Sequence, residues 1–386
     1  MKGFNKISAV IFFLLFLIST SVAAKDKMNF ATTPKTNGQN KWRIGYYEGG
    51  EYLNYQLVFM STVKELMTLG WIEPVTIPNQ EGEQTKNLWK WLVENIKSDY
   101  IAFVKDGHYT ANWDDTLKEK MVAKIIKRLN TKKDIDLIIA AGTAAGQGLA
   151  NNKHHTPTIV ISTSDPIGAG IVKSSEDSGY DHILARVDTF RYERQIRVFH
   201  EVIGFKKLGM AYANTKSGRG YAAINDVEKI SKEYGFEIVS CYTQDEIPDV
   251  KLAEESVKKC FRELSKKVDA IYVTEQNGIN PNSLPDLVKI VNSAQIPTFS
   301  QASSNEVKSG FLMSISQAGW KYVGNFFAET IAKVFNGAKP GQLEQAFEEP
   351  PLIAINLKTA EIIQYDPPVD VLGSADEIFT EIESSK

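Results

Sequence analysis

The stretch from Asp134 to Val172, DIDLIIAAGTAAGQGLANNKHHTPTIVISTSDPIGAGIV, constrains the fold of this chain more than any other. Its DLIIAA run (136–141) has no polar–apolar alternation, which predicts a strand buried on both faces. Gly142-Thr143 closes that strand, and residues 144–150 begin a short helix whose free N–H groups point back at the turn. The next strand, residues 158–162, stops at Thr163-Ser164-Asp165-Pro166. Two parallel strands therefore end side by side in polar turns. In open α/β sheets this is the edge where ligands settle, and a helix N-terminus there favours a carboxylate or phosphate.

With 386 residues and 43% hydrophobic content, the chain has enough material for two domains. Its charged fraction, 24%, is ordinary for a globular protein, and no block points to disorder or to nucleic acid. Residues 1–24 read as a signal peptide: Lys2 and Lys6, an apolar core over 9–18, and a small-residue exit ending at Ala24. The apolar run is about half the ~20 residues that a membrane span needs. Cleavage near Ala24 removes two lysines and takes the net charge from −3 to −5. Export implies a periplasmic, oxidising location. There the only two cysteines, Cys241 and Cys260, are either a disulfide or, for Cys260 on an apolar helix face, a buried small hydrophobe.

Residues 25–40 are polar and read as a flexible leader. Strand Lys41–Tyr47 then runs into the turn Glu48-Gly49-Gly50-Glu51-Tyr52 and a helix ended by Gly70. Farther on come a helix over 87–96, a strand over 100–104, an aromatic loop over 105–115 and a helix over 117–129. After residue 172 the polar stretch 173–180 reads as a crossing between lobes. A second alternation of strands and helices follows through 299. The expected fold is α/β, two doubly wound lobes joined by a hinge. Lobe 1 is expected to hold 41–182 and 310–345, and lobe 2 to hold 183–309 and 350–386.

Chemistry is sparse. GTAAGQG (142–148) is not a dinucleotide fingerprint, and KSGRG (216–220) is not a P-loop; the latter reads as strand–helix packing. No nucleophile elbow appears, and the five histidines show no ligand spacing, so neither a metal, a cofactor nor a catalytic constellation is expected. His154-His155 read as surface residues. His108 with Asp165 is the one pair an exported enzyme would have to use. Among the aromatics, Tyr46, Tyr47, Tyr52, Tyr109, Trp113 and Trp320 fall in or beside turns, with Tyr52 the first candidate for a pocket wall.

Several segments together resemble one family. DLIIAAGTAAGQGLA with TPTIVISTSDPIGAGIV, then DAIYVTEQN, IPTFSQASSNEVKSGFLMSIS, the helix to GAKPGQLE, and LIAINLKTAE follow in the order seen in the substrate-binding proteins of bacterial ABC transporters. The similarity is to the type I periplasmic-binding branch that includes tryptophan- and phenylalanine-binding members. The resemblance implies two lobes with a three-crossing hinge, a monomer without catalysis, and delivery of a small ligand to an ABC permease. A sensory module serving a membrane receptor is the alternative. Carried onto matching positions, it implies ligand contacts at Gly142-Thr143, Ser164-Asp165, Glu275, Asn277 and Gln301, with Gly49, Gly50 and Tyr52 facing the cleft. Glu275 stands where members often carry a shorter polar residue. It suits a ligand amine, so a zwitterion is expected, its carboxylate at Gly142-Thr143 and its amine near Asp165 or Glu275. The segment 76–115 is longer than usual for the family and is expected to contribute to the cleft.

Overall fold

The computed structural model describes residues 30–80, 82, 84–317, 320–348 and 350–383; the expected signal peptide lies outside the described residues. In chain order the elements are β1 (Trp42–Glu48), α1 (Leu53–Thr68), α2 (Thr85–Asn95), β2 (Ile101–Thr110), α3 (Asp115–Thr131), β3 (Leu137–Ala141), α4 (Thr143–Leu149), β4 (Thr158–Ile161) and β5 (Ile183–Ala185). They continue with α5 (Arg191–Ile203), β6 (Lys207–Tyr212), α6 (Lys216–Tyr221), α7 (Ile224–Tyr234), β7 (Glu237–Tyr242), α8 (Val250–Leu264), β8 (Ala270–Val273), α9 (Leu284–Ser293), β9 (Thr298–Ser300) and α10 (Ser304–Lys308). The last are β10 (Met313–Gln317), α11 (Trp320–Phe335), β11 (Pro351–Asn356), α12 (Leu357–Ile362), α13 (Val369–Ser374) and β12 (Glu377–Phe379).

Two sheets result. The first is all parallel in the order β2-β1-β3-β4-β5, and every residue of β3 and β4 is buried, as the unbroken apolar runs require. The second has the order β12-β11-β10-β9-β8-β6-β7, parallel except where β10 meets β11. Helices cover both faces of each sheet, which buries each set of strands in its own core. In lobe 1, Tyr46, Phe59, Trp71 and Trp89 pack with Val323, Phe327 and Phe335 of α11. In lobe 2, Phe199, Phe205, Tyr272 and Phe299 lie on one side of the sheet, and Phe261, Leu287 and Phe311 on the other.

Sheet pairing corrects the expected lobe boundaries. β5 pairs with β4 through Ile183 and Thr158, so it closes the first sheet and does not open the second lobe. β10 pairs with β9 and β11, so residues 313–317 belong to the second sheet, while α11 and the segment after it, where the Gln345 side chain accepts the Ala185 N–H and Gly341 N–H bonds the Asp181 carbonyl, return to lobe 1 as expected. The three crossings accordingly follow β5, follow β10 and precede β11. The polar stretch 173–180 is a loop inside lobe 1, folded on itself by Lys173 N–H to the Ser178 carbonyl and Ser178 Oγ to the Ile183 carbonyl. Polarity marked an exposed loop there, and exposure alone does not separate a loop from a crossing.

Other expectations also change. From Phe30 onward the leader is tied down: Trp71 Nε1 donates to the Thr32 carbonyl, Asn336 Nδ2 to that of Thr33, and Trp42 Nε1 to that of Lys35. The aromatic loop at 105–115 is mostly strand, because β2 runs on to Thr110 beside Tyr46, Tyr47 and Glu48. His154 is buried, its Nε2 2.9 Å from the Leu149 carbonyl and its ring edge-on to His182; His155 remains exposed. Cys241 on β7 and Cys260 on α8 form a disulfide.

Candidate functional site

The strand ends of both sheets meet across a cleft, where side chains of both lobes line one cavity. Lobe 1 contributes Tyr52, Tyr55, Trp113, Thr143, Ser162 and Ser164. Lobe 2 contributes Ser217, Tyr221, Asp245, Glu246, Glu275, Gln276 and Asn277. Each of these sits at or just past the end of a strand or in the first turns of the helix that follows, as the parallel topology dictates.

The aromatic wall is built by close approaches that only glycine permits. β2 ends in a turn where Asn112 and Trp113 both take left-handed backbone angles, φ 49° and 58°. For a bulky residue this conformation is costly and persists only where surrounding contacts enforce it. Trp113 N–H bonds the Gly49 carbonyl, and its indole N–H donates to the Glu51 carbonyl at 3.1 Å. The indole lies flat over Gly50, where a β-carbon would collide with it. Tyr55 meets Tyr52 edge-on at 5.2 Å and Trp113 at 6.3 Å. Ser162, φ 53°, is strained in the same way, placed where β4 stops, and it also lines the cavity.

The opposite wall is acidic. Burial pushes the Asp245 carboxyl up to about 7, with Glu246 beside it adding to the rise; Tyr221 and the Asn277 N–H oppose it. Burial also raises Glu246, against the donation of Ser217 Oγ. Glu275 is held from behind by Arg191 Nη2 at 3.3 Å, and the Gln301 side-chain oxygen accepts its N–H at 3.0 Å. Across the cleft, Ser164 Oγ donates to Glu275 at 3.4 Å. Between these acids sits Asn277, 3% exposed, whose side-chain nitrogen and oxygen both lack a hydrogen-bond partner within the protein. An amide left dry and unpaired is expensive, so this one is arranged for something that enters the cavity.

Of the expected contacts, Tyr52, Thr143, Ser164, Glu275 and Asn277 line the cavity. Gly49 does not line it but a neighbouring pocket, with Trp113, Lys118 and Glu246. Gly50 makes room for the indole, and Gly142 does the same for Tyr55, whose hydroxyl would collide with a β-carbon there. Asp165 does not line the cavity: its carboxylate accepts the Gly168 N–H at 2.7 Å, and its charge bears on Asp226. Gln301 lies behind the wall, fully buried, donating to the Tyr221 carbonyl at 2.8 Å. His108 is remote from Asp165 in its bonding: its Nε2 is 3.0 Å from Thr85 Oγ1, its ring stacks on Tyr46, and burial holds its imidazole down to about 4. The long 76–115 segment reaches the cavity through Trp113, while Tyr109 packs in the core on the far side of the first sheet.

Several lining residues escaped the sequence reading. Tyr55 lies one turn inside a helix that looks amphipathic, with no local mark of its role. Ser217 lies in the KSGRG segment and Tyr221 directly follows it; together they belong to the short helix α6 after β6, whose role is not mere packing. That segment ends a parallel strand exactly as Gly142-Thr143 does, so the strand-end argument extended to it would have found both.

The comparisons agree with this geometry. A family model described as ABC transporter substrate binding protein matches residues 102–379. A tyrosine-binding protein of Clostridioides difficile (strain R20291) is 25% identical over 238 residues, covering 61% of this chain and 65% of that protein, just under two thirds of its length. Among solved structures, a conserved domain protein of Vibrio cholerae superposes with a TM-score of 0.67 at 18% identity, over 88% of this chain and 100% of that one. An ABC domain from Streptococcus pneumonia in complex with L-Trp gives 0.65 at 20% identity, with the same coverage of 88% and 100%. A substrate-binding protein with adhesive properties from Clostridium difficile, in its ligand-free open form, gives 0.56 at 19% over 88% and 100%. At these identities the solved structures establish the shared two-lobed fold.

Proposed function

Because this chain belongs to the ABC transporter substrate-binding protein family, which comprises solute-binding proteins and not enzymes, we propose that it closes its two lobes on a small amine-bearing ligand of the amino-acid class and presents it to the permease of an ABC importer. The observation that carries the ligand class is the unpaired Asn277 carboxamide set among Asp245, Glu246 and Glu275. An ammonium group supplies what that corner lacks: N–H donors for the Asn277 oxygen and a positive charge for the buried acids. Tyr52, Tyr55 and Trp113 offer flat apolar faces for the rest of the ligand, and cation–π attraction adds to the preference for an amine. The relatives named for tyrosine and in complex with L-Trp support an amino acid as the class.

Binding energy is spent on closure, since wall residues come from both lobes and an open cleft would hold only half of them. The permease reads the closed state. The apolar, lysine-flanked start of the chain supports export, and among the described residues no helix is long and apolar enough to cross a membrane.

Calorimetry of the mature protein, residues 25–386, against the common amino acids and their decarboxylated amines tests the reading. Binding of amine-bearing compounds is expected, with neutral sugars and organic acids silent. Asn277→Ala is expected to weaken that binding by about 10- to 100-fold without lowering the melting temperature of the unliganded protein. Binding confined to compounds without an amine would sink the proposal.

A further inference from the structure

The cavity carries three carboxyl groups, Asp245, Glu246 and Glu275, and among the described residues that line it there is no lysine, arginine or histidine. Glu275 is offset from behind. Arg191 stands 3.3 Å from it, and the same Nη2 donates to the Gln301 carbonyl at 3.0 Å, so this guanidinium serves the wall. Arg186 lines a neighbouring pocket that shares Ser164 and Glu275 as walls, and does not line this one. The other two acids have no such counterweight. The groups bearing on Asp245 are Glu246, the Tyr221 hydroxyl and the Asn277 N–H. Those bearing on Glu246 are Ser217 and two charges of α3, Lys118 and Asp115, which oppose each other. Burial raises both carboxyls, and Glu246 adds to the rise at Asp245.

A wall of this sign repels a carboxylate for the same reason that it attracts an ammonium group. The turn at Gly142 is poorly placed to compensate. The Tyr55 hydroxyl lies against it, and α4 beyond it has only seven residues, few peptide dipoles to hold an anion. Asn277, unpaired at both side-chain atoms, does not change the balance. Its oxygen accepts an ammonium N–H. Its nitrogen suits a neutral oxygen such as an amide carbonyl, because the Asn277 backbone N–H already bonds Asp245, and an oxygen held at this residue lies close to that acid. Resting on the amine reading above, we infer that the ligand is a net cation: an amine on an aromatic or apolar body, its carboxyl absent or masked as an amide. Asp245 and Glu246 are then the residues that reject a free α-carboxylate, while Tyr52, Tyr55 and Trp113 cover the body. The amino-acid class narrows to decarboxylated or amidated members, which sets this ligand apart from the tyrosine and L-Trp named for the relatives.

Four probes that share one ring and differ in charge test this: tyrosine, tyrosinamide, tyramine and hydroxyphenylpropionate, titrated calorimetrically into the mature protein at neutral pH. Tyramine and tyrosinamide are each expected to bind at least roughly tenfold more tightly than tyrosine, with hydroxyphenylpropionate silent. Glu246→Gln removes a charge and keeps an acceptor for Ser217. It is expected to weaken tyramine, to leave tyrosine equal or tighter, and to leave the unliganded melting temperature equal or higher. Asp245→Asn is expected to act in the same direction, and serves as the second variant should the first fail to fold. Tyrosine bound as tightly as tyramine by the wild type overturns the exclusion of the carboxylate and spares the amine reading. A gap that both variants leave intact overturns the role given to the two acids. Binding of hydroxyphenylpropionate alone, or of none of the four, overturns both readings.

Discussion

The hydroxyl of Tyr55 occupies the place where a side chain on Gly142 would begin. Gly142 also has φ 86°, a backbone angle that L side chains avoid. One residue therefore ends β3, starts α4 and admits an aromatic ring from α1 to the cavity wall.

Gly142→Ala is expected to destabilise the protein by at least about 1 kcal/mol, since alanine at a positive φ is strained in the folded state. It should also push Tyr55 into the cavity and weaken ligand binding, an effect that Gly142→Ala combined with Tyr55→Ala partly reverses. Chemical denaturation and calorimetry on the two variants measure both terms. Unchanged stability and affinity in the single variant would contradict this account.

Trp113 and Gly50 form a matched pair. Trp113→Ala is expected to cost about tenfold or more in affinity through the lost aromatic face. Gly50→Ala should do the same by displacing the indole, and the two changes together should cost no more than either alone. Additive losses in the double variant would show that Gly50 acts independently of the indole.

Affinity for an amine should depend on Asp245. Its carboxyl, raised to about 7 by burial, is protonated in the empty acidic cleft below that pH and becomes an anion when an ammonium group arrives. Binding then releases a proton, so affinity is expected to fall by up to about tenfold per pH unit as pH drops below about 7. Titration in buffers of different ionisation enthalpy reveals the proton. The same raised carboxyl affects stability of the empty protein in the opposite sense. Its contribution is complete below the ordinary carboxylate range and is lost as pH rises through about 7. Asp226 and Glu306, also raised to about 7, and Glu48, raised to about 8, add to that decline. Asp245→Asn should flatten the affinity profile and reduce the decline.

The Cys241–Cys260 bond joins positions at a sequence separation of 19, and Asp245 and Glu246 lie between them. Replacing both cysteines by serine is expected to lower stability by about 3 kcal/mol through the freed denatured chain. Affinity should fall too, because the loop that carries the two acids is no longer anchored to α8. Denaturation and calorimetry of the double variant check each effect, and affinity equal to the wild type would show that the loop holds its shape without the bond.

Much of this architecture was legible in the order of residues. Buried parallel strands announce themselves as unbroken apolar runs, and the turns that end them, GT at 142–143, TSD at 163–165 and TEQN at 274–277, point to the shared edge because a parallel sheet aligns its strand ends. The strand-end argument singled out the turns that hold Thr143 and Ser164, and the family resemblance added Glu275 and Asn277; all four line the cavity. Tertiary structure alone decided the rest. Whether β5 and β10 serve the first sheet or the second depends on pairing across the chain. Trp113 reaches the cleft only because Gly49 and Gly50 lie under it, more than sixty residues earlier in the sequence. Arg191 acts on Glu275 and Gln301, and Gln301 on Tyr221, across sequence separations of 84, 110 and 80 residues. Local pattern reports how a segment satisfies its own backbone and buries its own face. Which distant side chain completes a wall, or is left without a partner inside it, is set by packing that no single segment encodes.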